Sequence, residues 1–173
     1  MTGLALPAMA AAALSLAGCD SGAATAWAGE TGAAEAPGSG IVEGGERFDC
    51  TPIKVWDGDG PIHCAEGPRI RLAGIAAREM DGRCSPGHPC PASSGPAARA
   101  ALAGLLGRTT GTAPTGHLLI EGPALKCLSE GSAKGSRTAA WCTSRKAGDL
   151  SCAMVASGTV AKWERYWRGH RCR

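Results

Sequence analysis

The sequence predicts a mainly β protein with helices, an α+β domain built on a five-stranded barrel of the OB type with two helices and stapled by disulfides. Three observations lead there. Five short segments carry the branched and aromatic residues that suit strands, separated by Gly, Pro and Asp turn signals. Two stretches rich in Ala and Leu follow residues that cap helices. Eight cysteines, Cys50, Cys64, Cys84, Cys90, Cys127, Cys142, Cys152 and Cys172, lie in the region that carries these elements, and a ninth, Cys19, stands apart.

The chain has 173 residues, and the first 46 show no periodic apolar face. Met1 to Gly18 is Ala- and Leu-rich and carries no charged side chain; it reads as a signal peptide (residues 1–18), although a Lys or Arg near its start is missing. Its apolar run is too short and Ala-rich for a membrane span. Leu16-Ala17-Gly18-Cys19 resembles a bacterial lipoprotein box, which makes Cys19 a lipidation candidate and implies anchoring to a membrane; ordinary cleavage after Ala28 is the alternative. Residues 19–46, rich in Gly, Ala and Glu, read as a flexible tether, and residues 47–173 as one domain with a modest core.

Within that domain, Arg47 to Trp56 is expected as the first strand, with a hairpin turn at Asp57-Gly58-Asp59-Gly60, where Asp-Gly pairs tolerate positive φ. Pro61 to Ala65 and Arg69 to Ile75 are the second and third strands. Met80 to Ser94, with Gly82, Pro86, Gly87, Pro89 and Pro91, is a loop. Pro96 to Leu106 is a helix capped by Ser94, with Leu102, Leu105 and Leu106 on its apolar face. His117 to Glu121 and Ala124 to Leu128 form the fourth strand region, and Arg137 to Thr143 the fifth strand. Asp149 caps a second helix that runs through Ser157 and ends at Gly158. The disulfides are expected between sequence neighbours: Cys50–Cys64 across the first hairpin, Cys84–Cys90 in the loop, Cys127–Cys142 across the second hairpin, and Cys152–Cys172 at the C-terminus. Such a framework belongs to an oxidising compartment, here the periplasm or cell envelope.

Charge is unevenly placed. All eighteen Lys and Arg lie at or after Arg47, where only ten acids accompany them, a net of +8 against +3 for the whole chain. A basic domain behind an acidic tail favours polyanions, nucleic acid first. Near the C-terminus Lys162, Trp163, Arg165, Tyr166, Trp167 and Arg168 interleave aromatic and basic residues, a footprint for stacking bases and tracking phosphates; packing of the rings on the domain is the competing reading. Cys84, His88 and Cys90 are too few to make a zinc site and read better as a disulfide loop. No Gly-x-Ser-x-Gly elbow, Walker-type loop or Cys-x-x-Cys pair is present, which removes the common signals of serine hydrolases, nucleotide hydrolases and thiol oxidoreductases, and no organic cofactor is expected.

Three separated pieces occur in a recognisable order: Val55-Trp56-Asp57-Gly58-Asp59-Gly60, then Arg69-Ile70-Arg71-Leu72-Ala73-Gly74-Ile75-Ala76-Ala77-Arg78-Glu79, then Gly135-Ser136-Arg137-Thr138-Ala139-Ala140-Trp141-Cys142. From Phe48 to Trp163 the chain resembles the thermonuclease family, the staphylococcal-nuclease-like domains. The resemblance implies a barrel core and phosphodiester hydrolysis in single-stranded DNA or RNA, with Glu79 at the attacking water, Arg71 and Arg137 on the phosphate, and a calcium ion held in part by Asp59. Asp57 is read as a turn former. Arginine suits the phosphate role because its planar fork grips two oxygens, and Glu79 suits a general base.

The chain departs from the family pattern at the metal. The second metal-binding Asp falls on Ala76, the family's Pro before the Glu is Arg78, and Gly135 and Ser136 replace Tyr and Gly before Arg137. Calcium prefers several oxygen ligands, so losing one weakens the site; Asp81 is a candidate substitute. Two alternatives therefore stand beside a nuclease: a non-catalytic OB-type module binding nucleic acid or another anionic polymer, and a structural envelope domain. No protein partner is implied.

Overall fold

The computed structural model describes residues 40–172. Its elements are β1 (Arg47–Cys50), β2 (Pro52–Val55), β3 (Ile62–Cys64), β4 (Arg69–Leu72), β5 (Ile75–Ala76), α1 (Gly95–Leu106), β6 (Arg108–Thr112), β7 (Leu118–Glu121), β8 (Leu125–Ala133), β9 (Arg137–Ser144), β10 (Gly148–Asp149), α2 (Leu150–Ala156), β11 (Ala161–Lys162) and α3 (Glu164–Trp167). The fold is mainly β with three helices and four disulfides. The expected signal peptide, Cys19 and most of the expected tether lie outside the described residues. The end of that tether is held down: Val42 N–H donates to Thr138 Oγ1 at 3.0 Å, Ser129 Oγ donates to the Val42 carbonyl at 2.8 Å, and Gly45 N–H donates to the Ser129 carbonyl at 2.8 Å.

One curled sheet of nine strands organises the fold, in the order β1-β8-β9-β4-β3-β2-β7-β6, with β10 beside β9; β5 and β11 make a separate two-stranded ladder. β4 and β9 run parallel, and the other ladders are antiparallel. The curl has a covalent cause. β1 and β2 are adjacent in the chain with Thr51 between them, yet β1 pairs with β8 while β2 pairs with β3 and β7.

The strands are more broken than five continuous segments. The first divides at Thr51. The third divides at Ala73-Gly74, where Gly74 takes φ +73° and a Cβ would strike the rings of Trp141 and Trp167, so only glycine meets both demands. β6, an edge strand of Arg, Thr and Gly, was not expected, nor was the short α3. The first hairpin is not a tight turn: Val55 pairs with Ile62, leaving a six-residue connection from Trp56 to Pro61, and of its two glycines only Gly60 has positive φ.

The helices begin where their caps predict. Ser94 accepts the Ala97 N–H at 3.3 Å and Asp149 accepts the Cys152 N–H at 2.8 Å. Helix α1 buries Ala98, Leu102 and Leu106 at helical spacing, and α2 buries Leu150 and Met154. These meet Val55, Ile62, Ile70, Leu72 and Leu125 from the sheet in one core.

All four neighbour disulfides form: Cys50–Cys64, Cys84–Cys90, Cys127–Cys142 and Cys152–Cys172. Cys127 faces Cys142 directly across β8 and β9. Such cross-links suit a small extracytosolic domain with a limited core.

The turn at Gly58 is packed against α1. A Cβ there would overlap Ala98 Cβ and stand 3.1 Å from Ala77 Cβ. Gly58→Ala is expected to lower stability by about 1–3 kcal/mol, as overpacking does. A urea midpoint equal to wild type would show that α1 yields freely to the extra methyl.

Candidate functional site

The β2–β3 connection and the kinked β4–β5 segment meet around one carboxylate. Asp59, 6% exposed, accepts from Arg71 Nη2 at 2.8 Å and from the Ala77 N–H at 2.9 Å, both at Oδ2. Its carbonyl accepts the Leu72 N–H at 2.9 Å. Arg71 Nη1 donates to the carbonyls of Leu72 (3.2 Å) and Ile75 (3.1 Å). Arg71 is thereby fixed in direction, and its charge lies against a carboxylate rather than in open solvent.

Asp57 is also buried, at 7% exposure, and its Oδ1 accepts the Asp59 N–H at 3.1 Å. Burial above all, then the negative charges of Asp59 and Glu79, push its carboxyl up to about 8 against the weaker pull of Arg71 and of that backbone N–H. The expected turn former is therefore also a buried acid of the site, beside Asp59.

Glu79 lies past β5 on the wall of a cleft of about 650 Å³ that Trp56, Met80, Asp81 and residues 83–86 also line. Its Oε1 accepts from Ser85 Oγ at 2.6 Å. Its neighbour Arg78 points away, donating to the carbonyls of Gly82 (2.8 Å) and Pro91 (2.9 Å). Arg137 opens β9 and is half-buried; its Nε donates to the Lys134 carbonyl at 2.6 Å. Arg69 braces the same turn through the carbonyls of Gly135 and Ser136, both at 3.2 Å.

One residue of the disulfide loop reaches this group. His88 and Trp163 have ring centroids 4.2 Å apart at a tilt of 43°, and Arg71 lies over the same indole at 5.5 Å. Burial lowers the His88 pKa, Arg71 and Arg137 lower it further, and Asp59 and Glu79 oppose them. Sequence reasoning missed His88 in this role; its nearness to the Cys84–Cys90 loop pointed only to metal or disulfide chemistry. Trp163 reaches the site because β11 pairs Ala161 with Ala76 and Lys162 with Ile75, and because the Trp163 N–H donates to the Gly74 carbonyl at 2.7 Å.

Other expected residues divide between site and scaffold. Trp167 is a packing residue: it is 6% exposed, meets Trp141 edge-on at 5.6 Å, and donates Nε1 to the His170 carbonyl at 2.6 Å. Arg168 reaches Glu130 at 3.7 Å, and Lys162 lies over the Trp167 ring at 5.0 Å while pairing with Glu164. Tyr166, 39% exposed, stands edge-on to Trp163 at 4.6 Å with Arg165 over its ring, and so borders the site.

The residues fit a calcium ion poorly. Ala76 is fully buried and brings no oxygen from its side chain, and Asp59 Oδ2 is already shared by two donors. Asp81 is held by the backbone and guanidinium of Arg83. Among the described residues, the two places where three ligand atoms crowd together are Cys50–Cys64–Glu66 and Asp149–Cys152–His170, and each includes sulfur committed to a disulfide. Also among the described residues, no helix is long and apolar enough to cross a membrane.

Compared with known proteins, the chain matches no family model, no curated protein and no solved structure.

The raised carboxyl of Asp57 gives a pH signature. Its folded pKa lies above the unfolded value, so between 3.8 and about 8 the folded state holds a proton that the unfolded state has lost. Stability from this group therefore falls as pH rises through that window. Asp57→Asn keeps the Oδ1 acceptor, and its stability relative to wild type should rise steadily from pH 4 to pH 8 in urea titrations. A difference that stays flat with pH would mean that Asp57 titrates normally.

Proposed function

We propose that this domain is an exported thermonuclease-like phosphodiesterase that hydrolyses single-stranded DNA or RNA at the cell envelope. The observation that carries the reading is the Asp59 carboxylate: it holds Arg71, whose neighbour across the parallel β4–β9 ladder is the strand that Arg137 opens, and it accepts the N–H of Ala77, two residues before Glu79 on the cleft wall. The scaffold supports it. Taking β1 and β2 as one strand broken at Thr51, the path from that strand through β3, β4, β9 and β8 returns to it, a five-stranded circuit with the connectivity of an OB-type barrel. Four disulfides fit an oxidising compartment, and Cys19 supplies a lipid anchor.

In this reading the phosphate seats against Arg71 and Arg137, whose guanidinium groups meet charge developing on the non-bridging oxygens. Glu79 takes a proton from water as the water oxygen forms its bond to phosphorus. Opposite, the phosphorus–oxygen bond to the departing nucleoside breaks, and that oxygen takes up a proton from solvent. Ser85 orients Glu79 by holding Oε1. No step runs through a metal.

A second reading has its own observation. With Ala76 buried in the β5–β11 ladder and Asp59 committed to Arg71, the face retains its grip on phosphate while the calcium partner is gone. That favours a module that binds nucleic acid without turnover.

Cleavage of a labelled single strand by the disulfide-bonded chain separates the two, run with calcium, with other divalent ions and with chelator. Glu79→Gln should reduce the rate by about 10²–10⁴, the usual worth of a general base, with affinity unchanged. No cleavage by the folded wild type under any ion, with binding intact, would establish the binding module. Rates equal in wild type and Glu79→Gln would remove Glu79 from the chemistry.

A further inference from the structure

Beside the cleft lies a second group of side chains with no part in the reaction just described. Trp56, His117 and His63 form a run of rings. Trp56 and His117 are 5.1 Å apart at 54°, and His117 meets His63 edge-on at 5.1 Å. All three keep part of their surface in solvent, which a role in packing alone would not require.

Cations border the run. Lys54 stands opposite His63 across β2 and β3, and Arg69 stands opposite His63 across β3 and β4. Ile62, Cys64 and Ile70 alternate with these residues and fill the core, so His63 and Arg69 lie on the outer face. Arg99 of α1 is anchored to the Gly116 carbonyl at 2.9 Å, next to His117. Burial first, then Lys54, His117 and Arg69, hold His63 down at about 4; burial, Lys54 and Arg99 lower His117, against a backbone hydrogen bond involving Thr115. The surface therefore presents neutral rings in a field of fixed positive charge.

It is continuous with the site. Trp56 lines the same cleft as Glu79, and Arg69 and Arg71 are two apart on the partly exposed face of β4. From Arg69 across β3 and β2 to the start of β7 is three inter-strand spacings, roughly 14 Å. A single strand of nucleic acid needs cations for its phosphates and ring faces for its unpaired bases. A duplex, with its bases already stacked, uses only the first.

We propose that Trp56, His63 and His117, with Lys54, Arg69 and Arg99, form an extended subsite that holds single-stranded nucleic acid as it leaves the Arg71–Glu79–Arg137 face. The inference rests on the nucleic-acid reading of that face and adds the direction of the strand and a preference for unpaired bases.

The test compares labelled single strands of three and twelve nucleotides, by anisotropy, on the full disulfide-bonded chain. His63→Ala and His117→Ala should each weaken the longer strand about tenfold, within the range for loss of a base-stacking ring. Lys54→Ala should reduce the slope of log affinity against log salt by about 0.7. Lys54→Glu provides a charge reversal at a part-exposed site should a ring variant fold poorly. Binding of the short strand and its Glu79-dependent cleavage should not change. Twelve-nucleotide affinities equal to wild type in folded variants, a wild type that gains nothing from the longer strand, or equal affinity for a duplex would each overturn the subsite. If cleavage is absent while affinity for the long strand still depends on His63 and Lys54, the subsite stands and the nuclease reading falls. If cleavage needs Glu79 while the strip variants behave as wild type, the subsite falls and the nuclease reading stands.

Discussion

The ion pair between Asp59 and Arg71 is the constraint on which the site depends. Its side chains are 9% and 12% exposed, so both charges have left most of their water. A pair so placed adds little net stability, because desolvation offsets attraction, but removing one partner strands the other and costs roughly 3–5 kcal/mol. Its effect is therefore on position. Asp59 joins the β2–β3 connection to β4 through its carbonyl and to the start of the Ala77–Glu79 segment through its carboxylate. Arg71, gripped by that carboxylate and two carbonyls, is fixed in orientation with its guanidinium carbon over the Trp163 ring, and His88 meets the same ring at a tilt.

The scaffold holds this arrangement with a small core and covalent links. Phe and Tyr occur once each in the chain, and much of the core is Ala, Val, Ile, Leu and cystine. Short strands such as β3 and β5 add few apolar side chains. The disulfides act where pairing is short: Cys50–Cys64 joins β1 to β3, and Cys84–Cys90 closes the loop that carries His88. Cys152–Cys172 ties α2 to the C-terminal segment, whose stack of His170 on Trp141 at 3.7 Å and whose contact from His170 to Asp149 at 2.8 Å fix the approach to Trp163. The His170 partner, Asp149, is also the cap of α2, so one carboxylate serves both ends of that clasp.

What was legible in the sequence was mostly local. The caps at Ser94 and Asp149 are read within a single turn of chain, and the four disulfides join sequence neighbours because hairpins and a short loop bring neighbours together. Arg71, Glu79 and Arg137 were nominated by the order of their motifs, and the structure sets Arg71 against Asp59, Glu79 on the wall of the cleft and Arg137 at the start of β9. The rest depended on contacts across the fold. β6 has no apolar alternation because it is an edge strand exposed on both faces, so nothing in its composition announced it. The break at Gly74 is set by two indoles far along the chain, and the same packing removed Trp167 from the basic–aromatic footprint. His88 carries no motif; only the placement of its loop beside Trp163 makes it part of the site.

The lack of a carboxylate at Ala76 has a physical counterpart elsewhere in the site. A second carboxylate at that position would compete with Asp59 for Arg71 and raise the negative charge around Asp57, which already resists ionisation in its buried place. Without it, the local charges nearly close among themselves: Asp59 is matched by Arg71, and Asp57 holds its proton below about pH 8. That leaves Glu79 as the acid on the open side, oriented by Ser85 and facing a cleft rather than the core. The same closure bears differently on the two proposed activities. A binding module needs the arginines alone, whereas a hydrolase needs an acid that water can reach. Glu79 is partly exposed on the wall of the cleft, and that position favours the proposed hydrolysis over binding alone although Ala76 brings no carboxylate.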